Sequence, residues 1–422
     1  MSFQKYAEYK ESGIEWLGEV PKHWEIRRLG VYGNFIAGSG FPHNEQGQKS
    51  GDYPFYKVSD TNLEGNSVYL VNAENYVTKE VTKKLRAKIA PAGGIMFPKV
   101  GAALLGNKRR VLTRESITDN NTIVFVPYSG VSKYWYYWLS ELDFGQIANP
   151  GPVPSINETQ LREVPSICPP VEEQNQIAAF LDKETTKIDT LIDKQEQLIT
   201  LLREKRQAII SHAVTRGLTP NVNMKDSGIE WLGTVPEHWE VSHLRWFISI
   251  KSGEGLSDSQ FSKKILDEDS YPVIGGNGTM GYSKHFNTTQ KAFAIGRVGA
   301  LCGNVHFFKE KCWITDNALK VSKWEGFNDS YFEYMLRAAN LNQYANQSAQ
   351  PLITGEQVKA LPVPRLPLEE QKQIAAFLDK ETTKIDTLIE KCETAIELLK
   401  ERRTALISAA VTGKIDVRGV AP

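Results

Sequence analysis

The segment Gln176–Ile192, QIAAFLDKETTKIDTLI, returns without a change at Gln373–Ile389. Each copy opens a pattern in which apolar residues recur at heptad-like spacing, which is typical of a long helix that packs against another helix. We therefore predict one long helix from each copy. The apolar seam residues that define the two patterns include Leu181, Ile188, Leu198, Leu378, Ile385 and Leu399.

Start and stop signals bound both helical patterns. Prolines and paired glutamates come just before each pattern, and both suit the first turn of a helix. Gly217 and Gly413 follow the patterns as stop signals. Each helix is predicted to run about 45 residues, or roughly 65 Å at 1.5 Å per residue.

A second repeat precedes each variable region. Lys10–Glu25, KESGIEWLGEVPKHWE, returns as Lys225–Glu240, KDSGIEWLGTVPEHWE. The order of box, variable domain and long helix therefore occurs twice. We divide the chain into a first domain at 1–163, a central helix at 164–217, a second domain at 218–360, and a distal helix with its tail at 361–422.

The variable domains are predicted to be small and mixed in secondary structure, which makes the fold class α+β. Aromatic helices are expected at Lys133–Leu142 and Ser330–Leu341. Short runs bounded by turn residues predict strands. These runs are Tyr53–Val58, Ser67–Leu70, Gly94–Pro98, Thr122–Pro127, Tyr271–Ile274, Ala292–Ile295, Val305–Phe308 and Ala318–Val321.

Chain geometry predicts how the long helices run. Only Arg216–Met224 separates the first helix from the second box. A domain of about 140 residues has a radius of gyration near 14 Å, too compact to span a helix of roughly 65 Å. The second helix is therefore expected to run back along the first. We predict that the two long antiparallel helices form a coiled coil that separates the domains, with a pseudo-twofold from the tandem repeat.

Composition limits the classes of function. The 422 residues include 50 basic and 50 acidic side chains, so the chain lacks the strongly basic footprint of a protein that grips nucleic acid alone. No apolar run is long enough to span a membrane. Four cysteines without a CxxC pair suit a reducing cytoplasm. Cys302, His306 and Cys312 could be imagined as part of a metal site, but residues around a core are the favoured interpretation.

Motifs for catalysis are missing or incomplete. The sequence has no GxxxxGK[ST] phosphate loop. The Gly38–Gly40 turn lacks the third glycine of a dinucleotide-binding motif, so it is read as a tight turn. The run Asn149–Pro152 lacks the aromatic residue of an adenine methyltransferase motif and is read as a loop. His23 and His238, each beside a tryptophan, are predicted to pack against that ring.

Local cations and one amide in the variable domains are candidates for DNA contact. Arginine and lysine reach guanine edges or phosphates, and asparagine can read adenine. For any one of these residues, a solvated charge is an open alternative. The candidates are Lys57, Lys99, Lys108, Arg109, Arg110, Asn277, Lys284 and Arg297.

These motifs together resemble the specificity subunit of type I restriction–modification enzymes over nearly the whole chain. The resemblance rests on SGIEWLGxVPxHWE in both boxes, on GGNGTMGY, GRVGALCGN and ITDNAL in the second half, and on the sequence that leads each long helix. It implies a non-catalytic subunit whose two target-recognition domains each read half of a bipartite site in double-stranded DNA. It also implies that the helices that carry the seam dock two methyltransferase subunits.

The resemblance implies cofactors on the partners and none on this chain. Methyltransferase subunits would bring S-adenosylmethionine, and restriction subunits would bring ATP hydrolysis with magnesium. Partners could then supply most of the grip on phosphates, which fits the zero net charge. Two alternatives stay open: a fragment of a fused enzyme, and a coiled-coil scaffold whose end domains bind proteins.

Overall fold

The computed structural model describes residues 4–129, 131–265, 269–346 and 351–419, which pack as two compact units. Unit 1 comprises Met1–Lys194 and Ala395–Pro422, and unit 2 comprises Gln195–Thr394. Each long helix contributes one segment to each unit. The four-part division made from the sequence stays a prediction.

The two long helices are confirmed. They span Val171–Arg216 and Leu368–Val411, with 46 and 44 residues. In unit 2, Arg203 lies 3.6 Å from the carboxylate of Glu393, and Arg206 lies 2.9 Å from that of Asp386. The partner number falls as the arginine number rises, so the two helix segments in this unit are antiparallel.

The helix segments of unit 1 also run antiparallel. Arg403 donates to Asp189 at 2.8 Å, partway along both segments. Near the start of the first segment, Glu173 accepts a hydrogen bond from Tyr6. The ring of Tyr6 lies 4.8 Å from the guanidinium of Arg418, which follows the end of the second helix. The end of one helix therefore lies near the start of the other within this unit.

Unit 1 is built on a five-stranded sheet and a three-stranded sheet. The larger sheet has the order Gly33–Ala37, Thr122–Pro127, Ile95–Pro98, Arg110–Leu112, Tyr69–Leu70, and the smaller has the order Ile117–Thr118, Tyr53–Tyr56, Tyr76–Val77. A hairpin joins Tyr9–Glu11 to Glu19–Pro21. The short helices are Leu29–Tyr32, Lys79–Lys84, Ala102–Leu105, Ser132–Ser140, Phe144–Ile147 and Glu158–Glu163, with 3-10 turns at His43–Glu45 and Val58–Asn62.

Unit 2 repeats this plan with fewer elements. Its four-stranded sheet has the order Ile248–Ser252, Ala318–Trp324, Ala292–Gly296, Val305–Phe308, and its three-stranded sheet has the order Gly278–Ser283, Tyr271–Gly275, Trp313–Ile314. A hairpin joins Met224–Asp226 to Thr234–Pro236. The helices are Asp329–Ala338 and Gly355–Lys359, with 3-10 turns at Leu244–Trp246, Asp258–Gln260 and Leu341–Tyr344.

The predicted strands and aromatic helices are confirmed, with small shifts at their ends. In each unit the aromatic helix packs between a sheet and the long-helix segments. Trp135 and Trp138 are fully buried in unit 1, and Tyr331 and Phe332 are fully buried in unit 2. Burial of such large rings contributes strongly to the hydrophobic stabilisation of each core. In the described ranges no helix is long and apolar enough to cross a membrane.

Each variable region is inserted through a pair of adjacent strands. In unit 1, Glu25–Arg28 pairs antiparallel with Pro165–Cys168, and the Leu29 amide donates to the Val164 carbonyl at 2.8 Å. We call the enclosed residues 29–164 module 1. The chain thus leaves the framework and returns to it at neighbouring positions.

The same arrangement recurs in unit 2. Glu240–His243 pairs with Pro362–Arg365, and the Leu244 amide donates to the Leu361 carbonyl at 2.9 Å. We call residues 244–361 module 2. Each module therefore joins its framework through the same local geometry.

Candidate nucleic-acid interface

The repeated box anchors to the start of a long helix. In unit 1, Glu173 accepts hydrogen bonds from the Trp24 indole at 3.1 Å and from Tyr6, and His23 Nε2 lies 2.8 Å from its other oxygen. Glu173 is only 5% exposed. Burial, followed by the bond to Glu173, raises the pKa of Tyr6 far above its ordinary value. His23 is therefore within hydrogen-bonding distance of this buried carboxylate, so the prediction that it packs against the tryptophan was incomplete.

Unit 2 reproduces the anchor with one donor fewer. Glu370 accepts from the Trp239 indole at 3.1 Å, and His238 Nε2 lies 3.0 Å from its second oxygen. The shared tryptophan, histidine and glutamate explain why HWE and the paired glutamates recur in both halves. These residues hold the framework together.

The identical 17-residue segments fix each module to its helix. In unit 1, the Tyr137 hydroxyl donates to Asp182 at 2.6 Å and lies 3.2 Å from Thr185. In unit 2, the Tyr334 hydroxyl donates to Asp379 at 2.8 Å and lies 3.0 Å from Thr382. Burial raises the pKa of Tyr334 to about 12, so the hydroxyl stays protonated as a donor. The aspartate and threonine of each repeat therefore attach the module to its long helix.

The seam residues named from the sequence lie mostly inside their own unit. Leu181, Ile188, Leu378 and Ile385 are buried, whereas Leu399 is half-buried against the core of unit 1. The four buried residues stabilise the packing of the helices, and a role of these five residues in partner binding stays a prediction. Leu198 is 42% exposed and is the one member of the predicted set that remains available at the surface.

A separate set of identical side chains is exposed on both long helices. We call this set the repeated face. Its members are Ala179, Lys183, Thr186, Lys187, Thr190 and Leu191, with counterparts Ala376, Lys380, Thr383, Lys384, Thr387 and Leu388. Spacing of three and four residues places each group of six on one side of its helix. Core packing does not explain why these exposed residues are identical in the two halves.

Arginines predicted to contact DNA in module 1 are instead engaged internally. Arg109 is 4% exposed, its guanidinium donates to the Asn107 and Leu142 carbonyls, and it lies 4.1 Å from the Phe144 ring centre. Burial lowers the pKa of Arg109 to about 10. Arg110 donates to three backbone carbonyls. We exclude Arg109 from the proposed interface because its side chain does not reach the surface.

The three lysine candidates of module 1 lie nearer the surface. Lys57 is half-buried and donates to Gln46 at 3.2 Å, and Lys108 is exposed and donates to Asn62. Lys99 is half-buried, and no side-chain hydrogen bond or ion pair of Lys99 occurs among the described residues. Their contact with DNA stays a prediction.

The candidates of module 2 lie around a glycine-rich hairpin. Asn277 is exposed at its tip and accepts from Asn304 Nδ2 at 3.0 Å. Arg297 is half-buried and donates to the Ser252 hydroxyl at 2.9 Å, while Lys284 is exposed. The hairpin borders an open recess of about 600 Å³, where Met280 is 50% exposed. The recess combines amide groups with an apolar surface.

Sequence reasoning missed an exposed cationic segment in module 1. Lys79, Lys83, Lys84, Arg86 and Lys88 are all exposed on and just after the Lys79–Lys84 helix, and Lys84 pairs with Glu45 at 2.7 Å. The segment packs onto the three-stranded sheet through Val81 and Leu85. The presence of five cations within ten residues could have revealed this segment. It was missed because the candidates were chosen near strand ends and glycine turns.

Other sequence interpretations hold. The Gly38 turn is tight because a Cβ at Gly38 would lie 1.8 Å from the Asp119 carbonyl oxygen. Asn149–Pro152 is a loop in which Asn149 pairs with Ser155, and residues 347–349 of its counterpart lie outside the described residues. Cys302 and Cys312 lie in separate buried clusters. Nowhere in the described chain do three metal-binding side chains come together.

Comparison with known proteins identifies the family. The family model described as "Type I restriction modification DNA specificity domain" matches residues 21–201 and 236–398, which is most of the chain. The chain belongs to this family. It is a DNA-specificity subunit of a type I restriction–modification system with two target-recognition domains, and each matched range includes the whole of one module.

Relatives of this type I specificity subunit match it over different lengths. It is 36% identical over 143 residues to the type I restriction enzyme EcoprrI specificity subunit of Escherichia coli, a match that spans 34% of this chain and 36% of that protein. It is 25% identical over 446 residues to the putative type I restriction enzyme MjaX specificity subunit of Methanocaldococcus jannaschii, a match that spans 99% of both proteins.

Two solved structures share the fold of this chain. A chain from "Structural basis underlying complex assembly and conformational transition of the type I R-M system" gives a TM-score of 0.70 at 14% identity, covering 93% of this chain and 98% of that one. The HsdS subunit from Thermoanaerobacter tengcongensis gives 0.51 at 15% identity, covering 94% and 98%. The α+β fold class predicted from the sequence is confirmed.

Proposed function

We propose that this specificity subunit is non-catalytic and that its two modules each read one half of a bipartite DNA target. The observation that carries the proposal is the contrast between the shared framework and the different module surfaces. Both modules join their helix through the same tyrosine, aspartate and threonine. A framework held constant around two different surfaces suits two readers of different sequences.

The module surfaces differ where they offer hydrogen-bonding groups and charge. After the middle strand of its three-stranded sheet, module 1 has the 3-10 turn Val58–Asn62, whereas module 2 has the glycine-rich hairpin with Asn277 at its tip. Module 1 adds the exposed cations of the Lys79–Lys88 segment. Side chains of these types contact base edges and phosphates in other DNA-binding proteins. The two modules would therefore select different half-sites.

The repeated face supports two equivalent partners. Because the same six exposed side chains occur on both long helices, one partner surface could bind at either place. We propose that two methyltransferase subunits bind there and that restriction subunits join the assembly. These partners would carry S-adenosylmethionine, ATP and magnesium, and the assembly would work in the cytoplasm, where its DNA substrate is found. The zero net charge of the chain fits a complex in which partners supply much of the phosphate contact.

The second candidate is a scaffold whose modules bind proteins. Exposed Met280 and Leu301 beside the module 2 recess favour it, because apolar side chains of this kind also occur at protein interfaces. The two candidates differ in one measurable property. Only the DNA-specificity subunit would change which DNA sequence becomes methylated when a module is replaced.

The deciding experiment replaces modules at the paired strands. The chain is co-expressed with its methyltransferase, and residues 29–164 are replaced by the corresponding module of another family member. Sequencing of modified bases should show one half of the methylated motif changed and the other half retained. Replacement of residues 244–361 is the matched control and should change the other half only. An unaltered motif, or a change in both halves from one replacement, would contradict independent reading.

Catalytic dependence on partners is tested separately. The purified chain alone is expected to transfer no methyl group from S-adenosylmethionine and to hydrolyse no ATP, whereas the assembly with methyltransferase subunits should methylate its target. The matched control is the methyltransferase without this chain, which should lack sequence-specific methylation. Methyl transfer by the isolated chain, above the background of a heat-treated sample, would refute the non-catalytic role.

A further inference from the structure

One cationic position is shared by the two modules. Lys99 in module 1 and Arg297 in module 2 both come directly before a Val-Gly-Ala sequence. The Lys99 amide donates to the Asn121 carbonyl at 2.8 Å, and its carbonyl accepts from Ile156 at 2.9 Å. The corresponding groups of Arg297 bond to Asn317 and Ile353, both at 2.9 Å. The backbone therefore holds the two cations in matching places.

The glycine two residues after each cation shows that the turn is open to its surroundings. Gly101 has φ +74° and Gly299 has φ +79°, a conformation that glycine adopts without strain. At both positions, a Cβ would have no heavy atom within 4 Å. Glycine is therefore required here by the backbone conformation and not by close packing. The space beside each turn is free for a ligand.

Neither cation has its charge neutralised by the described residues. No carboxylate among them lies within 4.0 Å of Lys99 or Arg297. Among the described residues, the Arg297 side chain has one hydrogen-bond partner, Ser252, and its buried Nε has none. Arg110 provides the contrast, since three carbonyls accept from its guanidinium. The backbone fixes the positions of Lys99 and Arg297, and both side chains can still form further hydrogen bonds or an ion pair.

We propose that Lys99 and Arg297 make the same contact in the two half-sites, each with a phosphate of the DNA backbone. The inference rests on the proposed function. The two modules are proposed to read different DNA sequences, so a cation at the same position in both cannot determine which sequence each one selects. Phosphates, by contrast, are present in every half-site. Module 1 has a lysine at this position and module 2 has an arginine, and this difference supports the same conclusion. Both cations bind a phosphate through their positive charge, whereas lysine and arginine are not interchangeable at a site that needs two bonds in fixed geometry.

The test measures how salt changes DNA affinity of the complex formed with methyltransferase subunits. Lys99→Gln and Arg297→Gln should each weaken binding to target and non-target duplexes by the same factor. Each should reduce the steepness of the negative slope of log affinity against log salt concentration by about 0.9, the value for one phosphate contact. The double variant should reduce the steepness by about twice that amount. Lys22→Gln, at an exposed lysine paired with Glu8, is the control and should leave the slope unchanged.

Conservative variants separate phosphate contact from base reading. Lys99→Arg and Arg297→Lys should retain the wild-type slope and the wild-type preference for the target. A loss confined to the target duplex, or an unchanged slope in the glutamine variants, would overturn the phosphate assignment. If the wild-type complex shows no preference for any target sequence, the proposed function itself fails, which is a distinguishable result. Circular dichroism of each variant confirms that the fold is retained.

Discussion

Arg109 and His306 each follow a Gly-Asn pair by two residues, but they are not counterparts in the strand register. Arg110 pairs with Met96 and His306 pairs with Ala294, and Met96 and Ala294 each lie three residues before the cation of the Val-Gly-Ala sequence, so His306 corresponds to Arg110. Only Arg109 fills the space beside it. The Arg109 guanidinium donates to the Leu142 carbonyl and covers the Phe144 ring. Within the described part of the chain His306 Nε2 has no hydrogen-bond partner, and His306 lines a cavity of about 310 Å³ with Arg337. Burial, with the charge of Arg337, lowers the pKa of His306 and keeps its ring neutral near pH 7.

The first prediction concerns this difference in packing. Arg109→Ala should lower the free energy of unfolding of unit 1 by about 2–4 kcal/mol, because it leaves a void and unpaired carbonyls. His306→Ala should cost unit 2 less than about 1.5 kcal/mol, because a cavity already exists there. Native-state hydrogen exchange in strands Arg110–Leu112 and Val305–Phe308 measures the two losses. Equal losses would show that the guanidinium contributes no special packing.

The second prediction concerns the anchor glutamates. Glu173→Gln removes the charge that strengthens three hydrogen bonds and should weaken the anchor by about 1–3 kcal/mol. Glu370→Gln is the matched variant with two partners and should cost roughly half as much. Hydrogen exchange of the Trp24 and Trp239 indole N–H groups reports each anchor separately. A larger effect at Trp239 would contradict the ranking.

The third prediction is a pH dependence where the two chain ends meet. The Asp416 amide donates to the Gln4 carbonyl at 2.8 Å, and the Asp416 carboxylate accepts from Arg418 at 2.7 and 2.9 Å. The bonds from Arg418 hold the pKa of Asp416 below its ordinary 3.8, and nearby His23 acts in the same direction. Ionised Asp416 therefore stabilises the folded state above about pH 4, and this contribution is lost as the pH falls through the lowered pKa.

Hydrogen exchange of residues 413–419 checks this dependence. Protection, corrected for the intrinsic exchange rate, should be constant from pH 7 to pH 5 and fall below about pH 4. Asp416→Asn should reduce protection at pH 7 and remove the part of the acid dependence that belongs to this carboxylate. The same acid profile in wild type and variant would assign the effect to another group.

The fourth prediction concerns the repeated face. Leu191 is 46% exposed and Leu388 is 47% exposed, so a charge at either should leave the fold intact. If each is part of a docking site, Leu191→Glu or Leu388→Glu should weaken binding of one methyltransferase copy at least about tenfold, and the double variant should weaken both. Native mass spectrometry counts the bound copies.

A control on the same helix separates docking from helix stability. Thr200→Glu gives the first long helix the residue found at the equivalent Glu397 of the second, so binding should be retained. If the single Leu191→Glu variant releases both methyltransferase copies, or if neither leucine variant affects binding, the repeated face is not two equivalent docking sites.

The long helices could be predicted because their signals are local. Heptad spacing lies within each helix, prolines directly precede it and a glycine follows its end, and the observed lengths of 46 and 44 residues agree with the predicted 45. The predicted strands were similarly marked by apolar runs between turn residues. Strands Glu25–Arg28 and Pro165–Cys168 were missed because they carry charged and proline residues and form by pairing with distant segments.

Roles of individual polar residues could not be predicted for the same reason. His23 bonds to Glu173, which is 150 positions away in sequence. The basic run at Lys108–Arg110 has the composition of a surface cluster. Nothing nearby in sequence indicates that the Arg109 side chain is buried against Leu142 and Phe144. Such contacts depend on which distant segments the fold brings together.

The division of unit 1 into two sequence ranges has a consequence for synthesis on the ribosome. Its core includes Leu406, Ile407, Ala410 and Val411, together with residues from the first 194 positions. The nascent chain must therefore keep the early part of this core incomplete while residues 195–394 emerge and fold as one contiguous unit. Late arrival of long-range contacts slows folding and prolongs exposure of apolar surface. Unit 1, although it begins first, is expected to be completed last and to depend most on chaperones.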